Sequence, residues 1–332
     1  MLLNNILITG GCGFLGISLV KKLIKLGTKN IRLIDNLSVG SKSDLMKVSK
    51  FIEVQPDNIK GHPIGLELLI GDIQEMSLAI KSTKGINAVI HLAANTGVGP
   101  SIEKPEADLL ANVLGTFNYL EASRINKISK FIFASSGAPV GEVDPPIHEE
   151  ITPHPVSPYG ASKLAGEGYC SAYKRTFGLD TVALRFGNVY GPGSARKLSV
   201  VAKFIKKAMD GKPLEIYGDG AQTRDFIYID DLIDAIILAS KKNNIGGETF
   251  QIASSKEITI SEMTNKLINE LKLQGIENVS IKNSSKRIGD VRRNFSDTSK
   301  AKNNLGWYAK VDLKKGLFET VKYFLKKDKG AY

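Results

Sequence analysis

Short apolar runs alternate with segments of helical apolar spacing through the first half of the chain. Ile6-Leu7-Ile8 and Phe131-Ile132-Phe133 are unbroken runs, whereas Phe14 to Leu26 repeats its apolar positions every three to four residues. Short unbroken runs suit strands buried on both faces, and their alternation with helices suits a parallel sheet covered on both sides. The pattern predicts strands near residues 4–9, 30–35, 66–71, 87–92, 130–135 and 180–186. It predicts helices over Phe14 to Leu26, Ala107 to Arg124 and Ala161 to Phe177. The fold class is α/β, a doubly wound parallel sheet of the Rossmann kind with a smaller C-terminal domain.

After about residue 190 the pattern breaks into turn-rich pieces, Gly191-Pro192-Gly193 and Gly218-Asp219-Gly220. Helices are expected between them near 197–210, 230–242, 260–272 and 312–326. The apolar run Thr249 to Ala253 should rejoin the sheet. Residues 1–180 would then form the dinucleotide-binding domain, with 226–253 returning to it, and 181–225 plus 254–332 the substrate-binding domain.

Composition narrows the class. With 42% hydrophobic and 24% charged residues over 332 positions, and neither repeats nor low-complexity tracts, the chain is a globular protein of two subdomains. No apolar run reaches the roughly 20 residues that span a bilayer, and Met1 to Gly11 lacks the features of a signal peptide, so a cytoplasmic enzyme with no membrane partner is expected. Cys12 and Cys170 have no second ligand at metal spacing, so no metal site and no disulfide framework are expected. The net charge of +11 is spread over lysines such as Lys21, Lys22, Lys25, Lys206 and Lys207 without interleaved aromatics, which suits a solvated basic surface rather than a nucleic-acid partner.

Chemistry enters at the first strand-to-helix junction. Gly10, Gly13 and Gly16 lie in the turn Thr9-Gly10-Gly11-Cys12-Gly13-Phe14-Leu15-Gly16, where backbone N–H groups and a helix N-terminus can approach a pyrophosphate. Glycines collect in turns for structural reasons too, so context matters. The second strand ends at Asp35, 19 residues after Gly16, where a carboxylate accepts from adenosine ribose hydroxyls and repels a 2′-phosphate. NAD is therefore the expected cofactor. Arg32, two residues earlier, does not alter that preference. Asp72 closes the third strand, where it can reach an adenine amino group or simply cap the next helix.

Tyr159-Gly160-Ala161-Ser162-Lys163 opens a helix with tyrosine and lysine four residues apart on one face, where an ammonium can lower a phenol's pKa. Ser135-Ser136 ends the strand Phe131-Ile132-Phe133, at the sheet edge where ligands bind such folds. A serine hydroxyl there can share a reacting proton with Tyr159, although serine-rich loops also satisfy their own backbone.

Taken together these residues identify a family. The chain resembles the NAD-dependent epimerase/dehydratase branch of the extended short-chain dehydrogenase/reductases, and within it the UDP-glucose 4-epimerase-like nucleotide-sugar epimerases. The likeness runs over nearly the whole length, through His91-Leu92-Ala93-Ala94, Asn112-Val113-Leu114-Gly115-Thr116, Ser157-Pro158-Tyr159-Gly160-Ala161-Ser162-Lys163, Leu184 to Pro192, Ile216 to Phe226 and Gly289-Asp290 to Asp297. It implies Ser136, Tyr159 and Lys163 as the catalytic triad, with Tyr159 and Lys163 also touching the cofactor. It implies Phe14, Leu15, Asn36, Ser38, Gly40, Ile73 and Ala93 as cofactor contacts beside Gly10, Gly13, Gly16, Asp35 and Asp72. For a nucleotide-sugar substrate it implies Ser136, Asn188, Tyr217, Arg224, Arg287, Asp290 and Asn294, the arginines matching phosphate geometry. A homodimer, paired through the helices after Ala107 and Tyr159, is the family expectation.

The residues after the catalytic serine choose among family reactions. The 4,6-dehydratases carry Asp-Glu there and the decarboxylases a glutamate, whereas this chain has Gly137-Ala138. The resemblance thus implies an isomerase, a UDP-sugar 4-epimerase working through a 4-keto sugar with no net redox change. The chain departs from the family's Thr-Val-Tyr-Gly at Ala138-Pro139-Val140-Gly141, which removes a tyrosine near the site. Asn294, three before Asp297, stands where a bulky aromatic restricts the family's pocket, so UDP-N-acetylglucosamine and its galacto epimer are expected beside or instead of UDP-glucose and UDP-galactose. A uronate would want a further cation, for which Arg196 is the candidate. The alternatives are another nucleotide-sugar enzyme (a dehydratase, decarboxylase, uronate epimerase or reductase) and, outside catalysis, an NAD-binding sensor or scaffold.

Overall fold

A computed structural model describes residues 4–197, 199–285 and 291–328. In chain order the elements begin β1 (Ile6–Thr9), α1 (Phe14–Lys25), β2 (Ile31–Asp35), α2 (Lys42–Met46), β3 (Ile52–Glu53), β4 (Leu66–Ile70), α3 (Met76–Ser82) and β5 (Ala88–His91). Then come α4 (Val98–Glu103), α5 (Pro105–Leu109), a π-helical turn (Leu110–Leu114), α6 (Gly115–Ile125), β6 (Lys130–Ser136), α7 (Pro158–Phe177) and β7 (Asp180–Phe186). The remainder is β8 (Asn188–Tyr190), α8 (Val200–Met209), β9 (Leu214–Tyr217), β10 (Thr223–Arg224), β11 (Phe226–Tyr228), α9 (Ile229–Lys241) and β12 (Glu248–Ile252), followed by β13 (Ile258–Thr259), α10 (Ile260–Leu273), β14 (Ile281–Ser284), α11 (Ser299–Leu305) and α12 (Leu313–Asp328). Among the described residues no helix is long and apolar enough to cross a membrane.

The chain divides into two compact units. The first holds residues 1–141, 152–185 and 233–250, and the second 142–151, 186–232 and 251–332. The first is built on an eight-stranded sheet in the order β12-β7-β6-β5-β1-β2-β4-β3. The β1–β2, β1–β5, β2–β4, β3–β4 and β5–β6 pairs are parallel. Because the chain winds outward from β1 first through β2 and then through β5, the winding direction reverses there, and the crevice above that point is where this architecture receives ligands. The central strands are fully buried, as their unbroken apolar runs require.

The expected strands and helices of the first half are present within three residues at each end, and β12 rejoins the sheet as the run Thr249 to Ala253 suggested. One expectation changes. The long helix over Ala107 to Arg124 is broken into α5, the π-helical turn and α6. Asn112 sits in that turn, its side-chain oxygen accepting from Asn95 N and its amide donating to Asn95 O, Asp108 Oδ1 and Ser162 Oγ. An extra residue in one turn is a common way for a helix to place a functional side chain.

Two polar clamps hold the sheet. Arg32 is 1% exposed and faces inward, its guanidinium donating to Glu67 Oε2 at 2.8 Å and to the carbonyls of Gly61, Ser82 and Lys84. It is consumed inside the first unit, so Asp35 alone supplies charge at the end of β2. His91 links three elements. Thr9 Oγ1 accepts from Leu92 N and Ala93 N, which leaves its own proton for His91 Nδ1 at 3.0 Å. The ring then keeps its proton on Nε2, facing Thr116 Oγ1 at 3.3 Å, and Thr116 in turn donates to Asn112 O.

Each clamp gives an expected outcome. Glu67→Ala leaves a buried guanidinium without its counter-charge and is expected to cost about 3–5 kcal/mol, read from the denaturant midpoint. Burial, with Lys163 adding to it, pushes His91 from 6.5 down to about 3. Between those values the unfolded chain binds the proton and the folded chain does not, so stability falls as pH drops below 6.5 and is constant above it. Between pH 7 and pH 5 His91 should therefore remove about 2 kcal/mol. Urea titrations should show that much less pH dependence in His91→Gln than in the unaltered protein.

Candidate active site

The sequence-expected residues of the first unit gather at the C-terminal ends of its strands. Gly10 turns with φ +69° and packs against Ala93, so any side chain there meets the Ala93 backbone. Gly16 lies so close to the Gly10 carbonyl oxygen that a Cβ would overlap it, which seats α1 directly under the turn. No side chain caps α1 and no acid occupies its first turn, so its positive end is open to an anion. Gly40 packs against Cys12 with no room for a Cβ, folding the segment after β2 onto the glycine turn.

Asp35 closes the arrangement. Its Oδ2 accepts from Cys12 N at 2.9 Å and its Oδ1 from Leu37 N at 2.8 Å, so the carboxylate is fixed at the edge of the turn with lone pairs left for hydroxyl donors. Burial pushes its pKa up and the two backbone bonds pull it back. Asn36 and Ser38 follow in the exposed loop, Ser38 N donating to Asn36 Oδ1 and Asn36 Nδ2 to Asp72 Oδ2. Asp72 Oδ1 also accepts from Gln74 N, so Asp72 both turns its own loop and is drawn toward the loop after β2. Phe14 and Leu15 are half-buried at the start of α1, whereas the Ile73 side chain is packed into the apolar core beneath. A tight glycine turn, an uncapped helix end and an acid on the next strand fit a dinucleotide whose ribose carries no 2′-phosphate.

Ser136, Tyr159 and Lys163 meet at the end of β6. Ser157 caps α7 by accepting from Gly160 N, and Pro158 takes the first helical position, which sets Tyr159 in the first turn. The Ser136 hydroxyl, which accepts from Ala138 N at 3.2 Å, lies near enough to the Tyr159 phenol to lower its pKa. Lys163 is 3% exposed, donates to Ala134 O at 2.9 Å, and stands 4.9 Å from the Phe133 ring centroid and 6.0 Å from that of Tyr159. Burial pushes Lys163 down to about 8, while the charges of Asp108 and Glu167 pull it back up. The expected lowering of the phenol pKa is not found: burial pushes Tyr159 up to about 12, opposed only by the Ser136 hydrogen bond and reinforced by Asp108. Desolvation of the phenolate outweighs an ammonium that is turned toward a carbonyl.

The second unit gathers its own candidates. Tyr217 ends β9, and its carbonyl accepts from Gln222 Nε2. Arg224, on β10, donates to Thr223 O at 2.5 Å and Val291 O at 2.8 Å, and Asn294 N donates to Thr223 Oγ1. Asn188 is exposed on β8, its N–H donating to Asp225 O. Arg287 and Asp290 lie outside the described residues. Asp225, whose carbonyl receives the Asn188 N–H, was not singled out from the sequence. It is 1% exposed and its carboxylate accepts from Ser254 N, Ser254 Oγ and Ser296 N. Its position one after Arg224, between two short strands, was the available signal.

A sequence profile described as "NAD dependent epimerase/dehydratase family" matches residues 6–253. The UDP-glucose 4-epimerase of Mycolicibacterium smegmatis is 31% identical over 328 residues, covering 97% of this chain and 98% of that protein. The crystal structure of UDP-glucose 4-epimerase from Thermotoga maritima with UDP-glucose superposes with a TM-score of 0.86 at 34% identity, covering 98% of this chain and 99% of the other. A UDP-N-acetylglucosamine 4-epimerase from Methanobrevibacter ruminantium, in complex with UDP-N-acetylmuramic acid, gives 0.86 at 31% identity, covering 98% and 100%. The match spans both the glycine turn of β1 and the Ser136, Tyr159, Lys163 group, and the chain belongs to the NAD-dependent epimerase/dehydratase family.

Proposed function

We propose that this protein interconverts the C4 epimers of a UDP-sugar, with NAD held by the first unit and the nucleotide sugar by the second. The observation that carries the reading is the Ser136–Tyr159 hydroxyl pair with Lys163 behind it, followed by Gly137 and Ala138, which offer no acid for elimination or decarboxylation. Gly10, Gly13, Phe14, Leu15 and Gly16 would receive the pyrophosphate, and Asp35, Asn36, Ser38, Gly40, Asp72, Ile73 and Ala93 the adenosine. When bound, NAD supplies a reversible hydride acceptor beside sugar C4. Tyr159 Oη removes the proton of the sugar 4-hydroxyl and later returns it, Ser136 Oγ orients that oxygen, and Lys163 holds the nicotinamide ribose. Asn188, Tyr217, Arg224, Arg287, Asp290 and Asn294 bind the nucleotide sugar.

Asn294 in place of a bulky aromatic supports UDP-N-acetylglucosamine as a substrate beside UDP-glucose. A cytoplasmic setting belongs to the same reading, and both free thiols, Cys12 and Cys170, are buried and suit it. So does a homodimer, supported by the exposed apolar side chains Leu109, Leu114, Ile125, Tyr169 and Phe177 on α5, the π-helical turn, α6 and α7.

Purified protein without added NAD, incubated separately with UDP-N-acetylglucosamine and UDP-glucose, is expected to produce the galacto epimer by NMR of the anomeric protons. Tyr159→Phe should lower kcat by about 100-fold or more while bound NAD is unchanged. Inertness of both sugars after NAD addition would exclude these two substrates, and inertness of UDP-glucuronate as well would remove the 4-epimerase reading. Light scattering should give a mass near twice 36.0 kDa, and paired Leu109→Asp and Tyr169→Asp substitutions should return it to the monomer value.

A further inference from the structure

Behind the reacting residues α7 carries a buried carboxylate, Glu167. Tyr159, Lys163 and Glu167 follow at intervals of four, so one helix face presents all three. Glu167 is 7% exposed and Arg185, near the end of β7, is 3% exposed. Arg185 Nε donates to Glu167 Oε1 at 2.8 Å and Nη2 to Oε2 at 2.7 Å, a two-point fork that fixes the carboxylate plane. Glu167 Oε1 accepts a further bond from Ser135 Oγ at 2.5 Å.

The consequence lies in what flanks Ser135. Ala134 gives its carbonyl to Lys163, and the Ser136 hydroxyl faces Tyr159 closely enough to act on its pKa. Three successive residues of one strand end are thus tied to three successive turns of one helix. The middle tie is the only one made by groups outside the proposed chemistry. Nothing in the reaction needs a carboxylate at residue 167, and two well-packed apolar side chains would avoid the desolvation cost of a buried pair. The pair therefore has something to do besides stabilise.

Resting on the reading of Ser136, Tyr159 and Lys163 as the reacting group, we propose that Glu167, clamped by Arg185, is the positioning residue of this site. Through Ser135 it fixes the register in which Ser136 and Lys163 face Tyr159, and its charge offsets the buried ammonium of Lys163. The charged and titratable groups facing Lys163 are Asp108 from α5, Glu167 and Tyr159 from its own helix, Arg185 from β7 beyond Glu167, and His91 from β5, which is neutral. Removing the negative charge of Glu167 makes the ammonium lose its proton more easily, so activity that needs the ammonium should fade at lower pH.

The test uses the holoenzyme and the UDP-sugar that the unaltered protein turns over. Ser135→Ala is expected to lower kcat about tenfold, with KM and bound NAD unchanged, because a small misplacement of reacting groups acts on the chemical step. Ser135→Thr, which keeps the hydroxyl, should restore most of it. Glu167→Gln should move the alkaline limb of the pH–rate profile down by about half a pH unit. If Glu167→Gln does not fold around the unpaired Arg185, Glu167→Asp, which keeps the charge but draws it back from Ser135, is measured in its place and is expected to lower kcat as Ser135→Ala does while leaving the alkaline limb where it is. Full activity in Ser135→Ala or an alkaline limb unmoved in Glu167→Gln would overturn the proposal and leave the pair a structural one, as would full activity in Glu167→Asp where that variant is used. An unaltered protein that epimerises no UDP-sugar would instead sink the underlying reading, so the two failures are distinguishable.

Discussion

Helix α7 rests on strand β6 at Gly166, where a Cβ would overlap the ring of Phe133. That close approach sets the conditions for everything around the reacting residues. It lets Lys163 Nζ reach the Ala134 carbonyl and stand over the Phe133 ring, so the ammonium is held by a dipole and a π-face instead of water. An alanine at residue 166 would lift the helix, and with it the lysine and the tyrosine one turn earlier. The tightness has a cost: groups in this wedge are desolvated, which raises the phenol, lowers the ammonium and makes any uncompensated charge expensive. The site works against these shifts with the Ser136 hydrogen bond, and with the anions of Asp108 and Glu167.

The same wedge explains how the cofactor half and the reacting half are joined within the first unit. Thr9, His91 and Thr116 form one hydrogen-bonded line from the glycine turn through β5 into α6, and Asn112 continues it to Ser162, next to Lys163. The line is polar yet fully internal, and each member has a single arrangement of donors that satisfies it. A neutral histidine is required at its centre, because an imidazolium would have to donate toward a hydroxyl whose proton is already directed at it. Burial supplies that neutrality. Backbone turns that receive the dinucleotide and side chains that act on the sugar are thus braced against each other without an ion pair between them.

Much of this was legible in the chain because it is local. A glycine turn between an apolar strand and an apolar helix, an acid at the next strand's end and a tyrosine four residues before a lysine are all short-range patterns. What escaped was non-local. His91, Asp225 and Glu167 were given no role of their own, since their partners lie far along the chain, 71 residues away for Asp225 and Ser296. The pairs β8–β11, β9–β14 and β10–β13 are made of strands of two to four residues, too short for periodicity to register. The break in the Ala107 to Arg124 helix was invisible because apolar spacing continues across it, while the side chain that shapes the π-helical turn, Asn112, bonds to Asn95 and Ser162 on other segments.

The departure at Ala138-Pro139-Val140-Gly141 separates what the loop does by shape from what it does by chemistry. Its shape is a tight helical turn in which Pro139 and Val140 are buried, with Val140 O accepting from His154 N and Gly141 held at φ +79° against His154. Ala138 N donates to Ser136 Oγ, and the Ala138 carbonyl packs on Gly160 where no Cβ would fit. Ser136 is therefore anchored from its own loop, and its oxygen, already an acceptor there, has its proton directed outward. What the substitution takes away is a functional group: no phenol stands at residue 140, and neither Gly137 nor Ala138 carries an acid. In the proposed reaction, proton transfer would fall to Tyr159 and Ser136, which suffices for removing and returning one hydroxyl proton. The loop thus holds Ser136 by backbone and packing contacts alone and adds no titratable group of its own between Gly137 and Gly141.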